Sequence, residues 1–333
     1  MSWDKSKHDF RQAKDWIIYN QAENGRISWD EKGKSDPWDH CECLIALAIF
    51  EEWDAFDLGI KWFFDNLNDE GWIPPEYKND TPIHNHYESH HAPYIILPLM
   101  QAVLMGRDDL LNPFIKSQIK IIFDQLHEFK DSEGYYFWAR DEKGFSDNSL
   151  ITASMSIFLS LKAFDKFASI EFDKQVWDSK FNRDGVDRSR FSMDFYYPFM
   201  CGVKTNKLDF QNGLKDFYVD GLGIKCVKEE PWVTIAESCE CVIASMVVGD
   251  YETAQNIFNN ILQFKNDNGI FPTGYQYEMD IFWPEENSTW TNAAVVIAAH
   301  ALATYGKKEA SKGNIFFYLN NLLESDQAIN SFK

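Results

Sequence analysis

Two stretches of this chain, residues 42–77 and residues 240–275, align without a gap at an offset of 198 residues. The clearest match is a Cys-Glu-Cys triplet, present at residues 41–43 and again at residues 239–241. Each triplet is followed at the same distances by an aspartate, a glycine, a proline and a tyrosine. Self-similarity at a fixed spacing indicates duplicated structural units that pack against one another.

Each unit has the pattern of a helical hairpin. An apolar helix (residues 44–50 or 242–248) leads through a short acidic turn to an amphipathic helix (residues 56–67 or 253–264) that ends near a glycine. A helix that is apolar nearly all round suits an inner position, and an amphipathic helix suits an outer one.

The same pattern continues along the chain. Further inner helices are predicted at residues 88–104, 148–164, 190–203 and 290–304, and further outer helices at residues 108–130, 165–178, 207–218 and 308–324. Six inner helices close most simply into an all-α (α/α)6 toroid with a central cavity, which we predict as a single domain over residues 1–333. An open α-solenoid is the alternative, although its hairpins would be more regular in length.

The charge of the chain excludes several classes of function. It has 32 Lys and Arg residues against 52 Asp and Glu residues, which gives a net charge of −20. Such a field repels phosphate backbones and anionic membranes, so we expect no nucleic-acid partner and no membrane insertion. The first residues hold no apolar segment of signal-peptide length, which predicts a cytoplasmic protein. The oligomeric state stays open.

The six cysteines are too few for a disulfide framework. Neighbouring positions on a helix point about 100° apart, so the two cysteines of a triplet diverge and do not readily share a metal. We therefore expect reduced thiols and predict no metal and no cofactor, with a divalent ion as the alternative.

Carboxylates occur early in the inner helices. Ser35 or Asp36 can cap the first of them, with Pro37 in its first turn. Glu42 and its repeat-mate Glu240 lie among apolar neighbours, so each must be paired, protonated or in contact with a wet cavity. Such a pair suits general acid–base catalysis, and a buried structural hydrogen-bond network is the alternative. The catalytic candidates among the carboxylates are Glu42, Glu240, Glu237 and Asp39.

Four of the eight histidines fall within residues 84–91. His86 and His90 are four residues apart and would share one face of a helix, which suits zinc or a substrate hydroxyl. We predict that both position the substrate or transfer protons, with capping or solvated histidines as the alternative.

Aromatic and acidic side chains gather before the later inner helices. Trp and Tyr rings beside carboxylates suit stacking on sugar rings or stabilisation of a carbocation. The alternative is that the rings only fill the connections. The predicted substrate-binding residues are Trp38, Asp36, His91, Asp194, Tyr196, Trp232, Tyr275, Asp280, Trp283, Glu285 and Trp290.

Parts of the chain resemble known families. Bacterial proteins labelled prenyltransferase or squalene-cyclase-like are similar over about residues 26–304, in the strings SDPWDHCE, RFSMDFYYP, GLGIKC, PWVTIAESCE, PTGY and FWPEENSTWTNAAVVIAA. This resemblance implies an α/α toroid. The Asp-x-Asp-Asp motif of class II terpenoid cyclases is not matched by Asp36-Pro37-Trp38-Asp39. The ring of hairpins also resembles six-hairpin glycosidases, uronyl hydrolases and sugar epimerases, whose sites combine carboxylates or histidines with stacking aromatics.

These patterns predict an enzyme that acts on a carbohydrate or glycoconjugate by general acid–base catalysis, as a hydrolase, lyase or epimerase. The expected partner is a small-molecule or glycan substrate. An isoprenoid cyclase or prenyltransferase is one alternative, and a non-catalytic toroid that binds a sugar or a protein is another.

Overall fold

The computed structural model describes residues 3–164, 180–305 and 313–320. The helices of these residues are, in chain order, α1 (Trp3–Ser6), α2 (Arg11–Tyr19), α3 (Pro37–Ile49), α4 (Trp53–Asp65), α5 (Ile96–Leu104), α6 (Pro113–Leu126), α7 (Ile151–Phe164), α8 (Ser192–Met200), α9 (Lys207–Leu214), α10 (Ile235–Val247), α11 (Tyr251–Ile261), α12 (Thr289–Thr304) and α13 (Ile315–Leu319).

Six of these described helices form a closed inner ring. Helices α3, α5, α7, α8, α10 and α12 each contact the next, and α12 returns to contact α3. Outside the ring, α2 packs on α12, α4 on α3, α9 on α8 and α11 on α10. The predicted all-α (α/α)6 toroid is thereby confirmed, while a single domain over residues 1–333 stays a prediction.

The burial patterns of the two helix layers explain their positions. In the ring helix α12 residues 291–301 are all buried, so every face of the helix is covered. In the outer helix α11 the buried residues Ala254, Ile257, Phe258 and Ile261 recur every one to three positions and form one stripe. Burial of apolar surface is the main favourable term in folding, so the helices that are apolar all round occupy the centre.

Short strands lie in the connections that lead to the ring helices. Among the described residues they are β1 (Lys34–Ser35), β2 (Tyr77–Lys78), β3 (Thr81–Pro82), β4 (Tyr87–Glu88), β5 (Ala139–Asp141), β6 (Gly144–Phe145), β7 (Tyr218–Val219), β8 (Gly223–Lys225), β9 (Trp232–Thr234), β10 (Gly274–Gln276) and β11 (Ile281–Phe282). They pair in three antiparallel sheets, in the orders β1-β2-β3, β4-β5-β6 and β11-β10-β9-β8-β7. The sheets therefore gather where the ring helices begin.

The duplicated units keep the same turn after their outer helix. Gly71 and Gly269 are repeat-mates and have φ angles of +81° and +78°. This left-handed region is open to glycine at little cost, which explains why both units place a glycine there.

Several predicted boundaries differ from the structure. The second ring helix begins at Ile96 and not near residue 88, because Tyr87 and Glu88 pair with β5 as strand β4. The predicted outer helix at residues 165–178 lies outside the described residues, as does most of the one at residues 308–324. The six cysteines are free thiols, as expected. Across the described residues, no helix combines the length and the apolar character that a membrane span requires.

The first prediction concerns Asn292, a fully buried residue of α12 that fastens the connection after α11. Its side chain accepts a hydrogen bond from the N–H of Phe271 at 3.0 Å and donates one to the carbonyl of Phe271 at 3.1 Å. Asn292→Leu should lower the free energy of unfolding by roughly 2–4 kcal/mol in urea denaturation, because both groups of Phe271 lose their partner. The matched control Asn256→Leu, on the exposed face of α11, should change it by less than about 0.5 kcal/mol. Equal losses in the two variants would contradict this role of Asn292.

Candidate active site

A cavity of about 320 Å³ opens where the ring helices α3, α8 and α12 begin. Its walls come from these helices and from the connections before α3 and α5. The lining residues are Trp29, Asp36, Trp38, Asp39, Pro75, Glu76, Glu88, His90, His91, Met193 and Trp290. Four of these described residues are carboxylates, and none is a lysine or an arginine.

The start of α3 supplies two of the cavity carboxylates. Asp36 caps the helix, since its Oδ1 accepts a hydrogen bond from the N–H of Asp39 at 2.9 Å, and Pro37 lies in the first turn as predicted. The Oδ2 atom of Asp39 is buried and has no hydrogen-bond partner among the described residues. Burial raises the pKa of Asp39 well above its usual range, and the charge of Asp36 raises it further. The Asp39 carboxyl therefore favours its protonated form.

Glu237 is the repeat-mate of Asp39 and lies in the first turn of α10. Its side chain also has a buried oxygen, Oε2, with no hydrogen-bond partner in the described part of the chain, and burial raises its pKa. Glu237 lies near Cys226, whose carbonyl accepts a hydrogen bond from the N–H of Ser192 at 2.9 Å. Ser192 directly precedes the cavity residue Met193, whereas Glu237 itself is not among the residues that line the cavity.

Glu42 and Glu240 lie one helical turn further into the ring. Glu42 is 3% exposed and accepts a hydrogen bond from the hydroxyl of Tyr94 at 2.5 Å. Glu240 is 5% exposed and accepts hydrogen bonds from the hydroxyls of Tyr196 and, at 2.8 Å, Tyr197. Tyr196 is thus a fully buried support for Glu240 and not the predicted substrate contact.

Burial determines the protonation of this inner pair. It raises the pKa of Glu42 to about 7. It raises the pKa of Glu240 well above its usual range, and the charge of Glu42 adds to the effect. Neither residue lines the cavity. Their positions match the structural hydrogen-bond network that the sequence left as the alternative to catalysis.

The predicted helical face of His86 and His90 is wrong, because residues 84–91 form strand β4 and turns. The histidines instead surround Glu88. The Nε2 atom of His86 lies 3.3 Å from Oε1, and the Nε2 atoms of His90 and His91 lie 3.8 and 3.7 Å from Oε2. His90 and His91 line the cavity, whereas His86 lines a separate cavity of about 380 Å³ at the β5–β6 hairpin.

Three tryptophans supply the aromatic part of the cavity. Trp38 meets the ring of His90 edge to face, with 4.7 Å between ring centroids. Trp29 and Trp290 lie 5.8 Å apart, and the Nε1–H of Trp29 donates to Glu286 Oε1 at 2.9 Å. The predicted residues Trp38 and Trp290 therefore do reach one cavity.

Five other predicted substrate-binding residues do not line this cavity: Trp232, Tyr275, Asp280, Trp283 and Glu285. Four of them belong to, or directly border, strands β9, β10 and β11 of the five-stranded sheet. There the indole N–H of Trp232 donates to the carbonyl of Trp283 at 2.7 Å, and the hydroxyl of Tyr275 donates to Asp280 at 2.7 Å. Pairing of β9, β10 and β11 carries these side chains away from the ring centre.

Asp194 lies in a different cavity, of about 510 Å³, beside α7 and α8. Its Oδ1 accepts a hydrogen bond from the hydroxyl of Thr152 at 2.8 Å. Burial raises the pKa of Asp194 to about 6. The structure therefore separates Asp194 from the other predicted site residues.

Sequence reasoning missed five residues that line the cavity: Trp29, Pro75, Glu76, Glu88 and Met193. Glu88 stands within the histidine-rich stretch, so the sequence offered a signal for it. Glu76 precedes β2, and it is brought towards α3 because β2 pairs with β1, with Tyr77 opposite Ser35. That pairing has no signature in the local sequence.

The chain has clear relatives. The MMP endo-(1,4)-3-O-methyl-alpha-D-mannosidase of Mycolicibacterium hassiacum is 30% identical over 312 residues, which cover 88% of this chain and 86% of the relative. No protein-family model matches the chain.

Solved structures share the fold at low sequence identity. A D-mannose isomerase superposes with a TM-score of 0.66 and 11% identity, covering 89% of this chain and 96% of its own. A glycosidase in complex with glucose superposes with a TM-score of 0.62 and 13% identity, covering 95% of this chain and 97% of its own. A sugar epimerase from a ruminal bacterium superposes with a TM-score of 0.58 and 12% identity, covering 88% of this chain and 98% of its own. At these identities the likeness establishes the toroid, as in six-hairpin glycosidases, and leaves the chemistry to the site.

The second prediction concerns the titration of Glu42. Its pKa is raised from 4.5 to about 7 on folding, so the free energy of unfolding should fall as the pH rises through this interval. The folded protein holds a proton there that the unfolded chain releases. Glu42→Gln removes this titration and keeps an acceptor for Tyr94, so its stability should fall less over the same interval in urea denaturation.

Glu285→Gln is the matched control, because Glu285 is exposed, and it should leave the pH dependence of the wild type unchanged. If Glu42→Gln also followed the wild-type curve, the raised pKa of Glu42 would be contradicted.

Proposed function

The chain belongs to the family of the M. hassiacum MMP endo-(1,4)-3-O-methyl-alpha-D-mannosidase, and we propose that it hydrolyses α-mannosidic bonds of an oligosaccharide in the cavity. The relationship bears out the prediction of an enzyme that acts on carbohydrate. The observation that carries the proposal is the pair Asp39 and Glu237, which the repeat places in the first turns of α3 and α10.

The two carboxyls supply what glycoside hydrolysis requires, namely one protonated acid and one ionised carboxylate. Asp39 lines the cavity and favours its protonated form through burial and the neighbouring charge of Asp36, which suits the acid that protonates the glycosidic oxygen. We assign the ionised role to Glu237, whose pKa is raised by burial, while hydrogen bonds with Thr234 and Cys226 oppose that rise. In this role Glu237 either takes a proton from the attacking water, as a general base, or attacks the sugar itself, as a nucleophile.

The aromatic residues support a sugar substrate. Trp29, Trp38 and Trp290 present ring surfaces in the same cavity as the acidic groups. Apolar C–H faces of a pyranose stack on such rings, while its hydroxyls bind carboxylates and histidines. His90 and His91 line the same cavity, where we propose that they help to bind the sugar.

The isoprenoid alternative finds less support in this cavity. A prenyl chain needs mostly apolar walls, and its diphosphate needs cationic partners. The described lining residues include four carboxylates and no lysine or arginine. A non-catalytic sugar-binding toroid differs from our proposal in one measurable respect, which is the absence of turnover.

The third prediction tests the two carboxyls with α-(1,4)-linked mannooligosaccharides, with and without 3-O-methyl groups. Asp39→Asn and Glu237→Gln should each lower kcat by about 10²–10⁴-fold, because each removes an acid–base group. Product release is measured by chromatography, and the anomer first released, measured by NMR, distinguishes a base from a nucleophile as the role of Glu237.

Asp194→Asn is the matched control, since it changes a buried carboxyl in the separate cavity, and it should keep the wild-type rate. Full turnover by Asp39→Asn or Glu237→Gln would remove that residue from catalysis. Wild-type protein that binds these oligosaccharides without cleaving them would favour the binding toroid.

A further inference from the structure

Glu88, His90 and His91 form a cluster in the cavity that the proposed acid–base pair does not require. One ligand atom of each residue lies within 4.8 Å of the others. The Nε2 atoms of His90 and His91 lie 3.8 and 3.7 Å from Oε2 of Glu88. These distances are too long for hydrogen bonds, so the three atoms converge without bonding one another.

The two separations from Oε2 of Glu88 are close to those around a bound metal ion. A tetrahedral zinc ion with bonds of about 2.0–2.1 Å keeps its ligand atoms roughly 3.4 Å apart. The observed 3.7 and 3.8 Å exceed this by a few tenths of an ångström. The ligand atoms of the two histidines lie within 4.8 Å of each other, so binding of one ion needs the two rings to move closer together.

Neighbouring groups hold the carboxylate and the rings in place. Glu88 belongs to strand β4, and its Oε2 accepts a hydrogen bond from the Nε1–H of Trp138 at 3.0 Å. His90 and His91 are 4% and 6% exposed, and the ring of His90 packs against Trp38. Outer hydrogen bonds and packing of this kind orient the ligands of a metal site.

The surrounding charge favours a cation. Asp36 and Glu76 line the same cavity, and its described lining residues include no lysine or arginine. The nearby amino group of Lys34 lies over the ring of Trp29, 5.3 Å from the centroid. A cation between the histidines and Glu88 would therefore be attracted by an excess of carboxylates.

We propose that Glu88, His90 and His91 bind one divalent cation of the zinc type, with an open coordination position towards the cavity. Two imidazole nitrogens and one carboxylate oxygen suit first-row divalent ions, whereas calcium and magnesium prefer oxygen ligands throughout. Three protein ligands leave a position for water or for a hydroxyl of a bound molecule. This site does not depend on the proposed hydrolysis, because metal binding is measured without substrate.

The fourth prediction uses zinc chloride as the probe. Untagged protein is dialysed against EDTA, freed of EDTA, mixed with zinc in the presence of a thiol-free reductant and passed over a desalting column. The wild type should retain about one zinc ion per chain by mass spectrometry of the elements, and zinc should raise its unfolding temperature. Cobalt in place of zinc should give the visible absorption of a site with nitrogen and oxygen ligands.

Glu88→Gln and His91→Gln should each lose the retained zinc and the rise in unfolding temperature. His84→Gln is the matched control, because His84 is an exposed histidine of the same stretch outside the cluster, and it should keep both. All variants should unfold at the wild-type temperature in EDTA, which establishes that their fold is retained.

Wild-type protein that retains no zinc would overturn the proposal, whatever the variants do. Equal retention by the wild type, Glu88→Gln and His91→Gln would also overturn it and would assign the ion to another site, such as the free cysteines.

Discussion

The contact between the last and first ring helices, α12 and α3, is the constraint on which the toroid depends. Helix α12 is buried on every face, so it is stable only where other helices surround it. At its start, the N–H of Thr289 donates to the carbonyl of Trp29 at 2.8 Å, and its hydroxyl donates to the carbonyl of Ser28 at 2.7 Å. These bonds fasten the segment before α3 to α12. Because Trp29 lines the cavity, closing the ring also completes the site.

The repeat places carboxylates in two layers with different surroundings. In the inner layer, Glu42 and Glu240 receive tyrosine hydroxyls and are almost fully buried. In the layer above, Asp39 and Glu237 lie one turn nearer the start of the same helices and each keeps a buried oxygen without a partner in the described structure. A buried carboxyl whose hydrogen bonds are satisfied stabilises one arrangement, whereas one that lies by a cavity can exchange its proton with a substrate. Asp39 lines the cavity, which supports our proposal that the outer layer carries the chemistry.

Local patterns gave correct predictions where neighbours in sequence decide the outcome. The cap at Asp36 follows from a side chain and an N–H three residues apart, and the ring helices follow from apolar residues that cover every face. The prediction for His86 and His90 was wrong because strand pairing of Glu88 with Ala139 prevents a helix there. Trp283 was predicted to bind substrate only because it is an aromatic residue in an acidic stretch. In the structure it directly follows the edge strand β11, and its side chain is exposed.

The sequence by itself indicated the six ring helices, their arrangement as a toroid and the class of molecule that the enzyme acts on, because repeats and helical periodicity are local properties of the chain. It did not predict α2, the outer helix that packs on α12. Only the tertiary structure decided which polar residues share a cavity. In the structure Asp39 lines the cavity, whereas Glu42 lies deeper and is almost fully buried. Glu76 and Glu88 reach the cavity from connections that contain strands. The physical reason is that these connections are positioned by hydrogen bonds between strands distant in sequence, such as Ser35 opposite Tyr77, and such pairings leave no periodic trace in the chain.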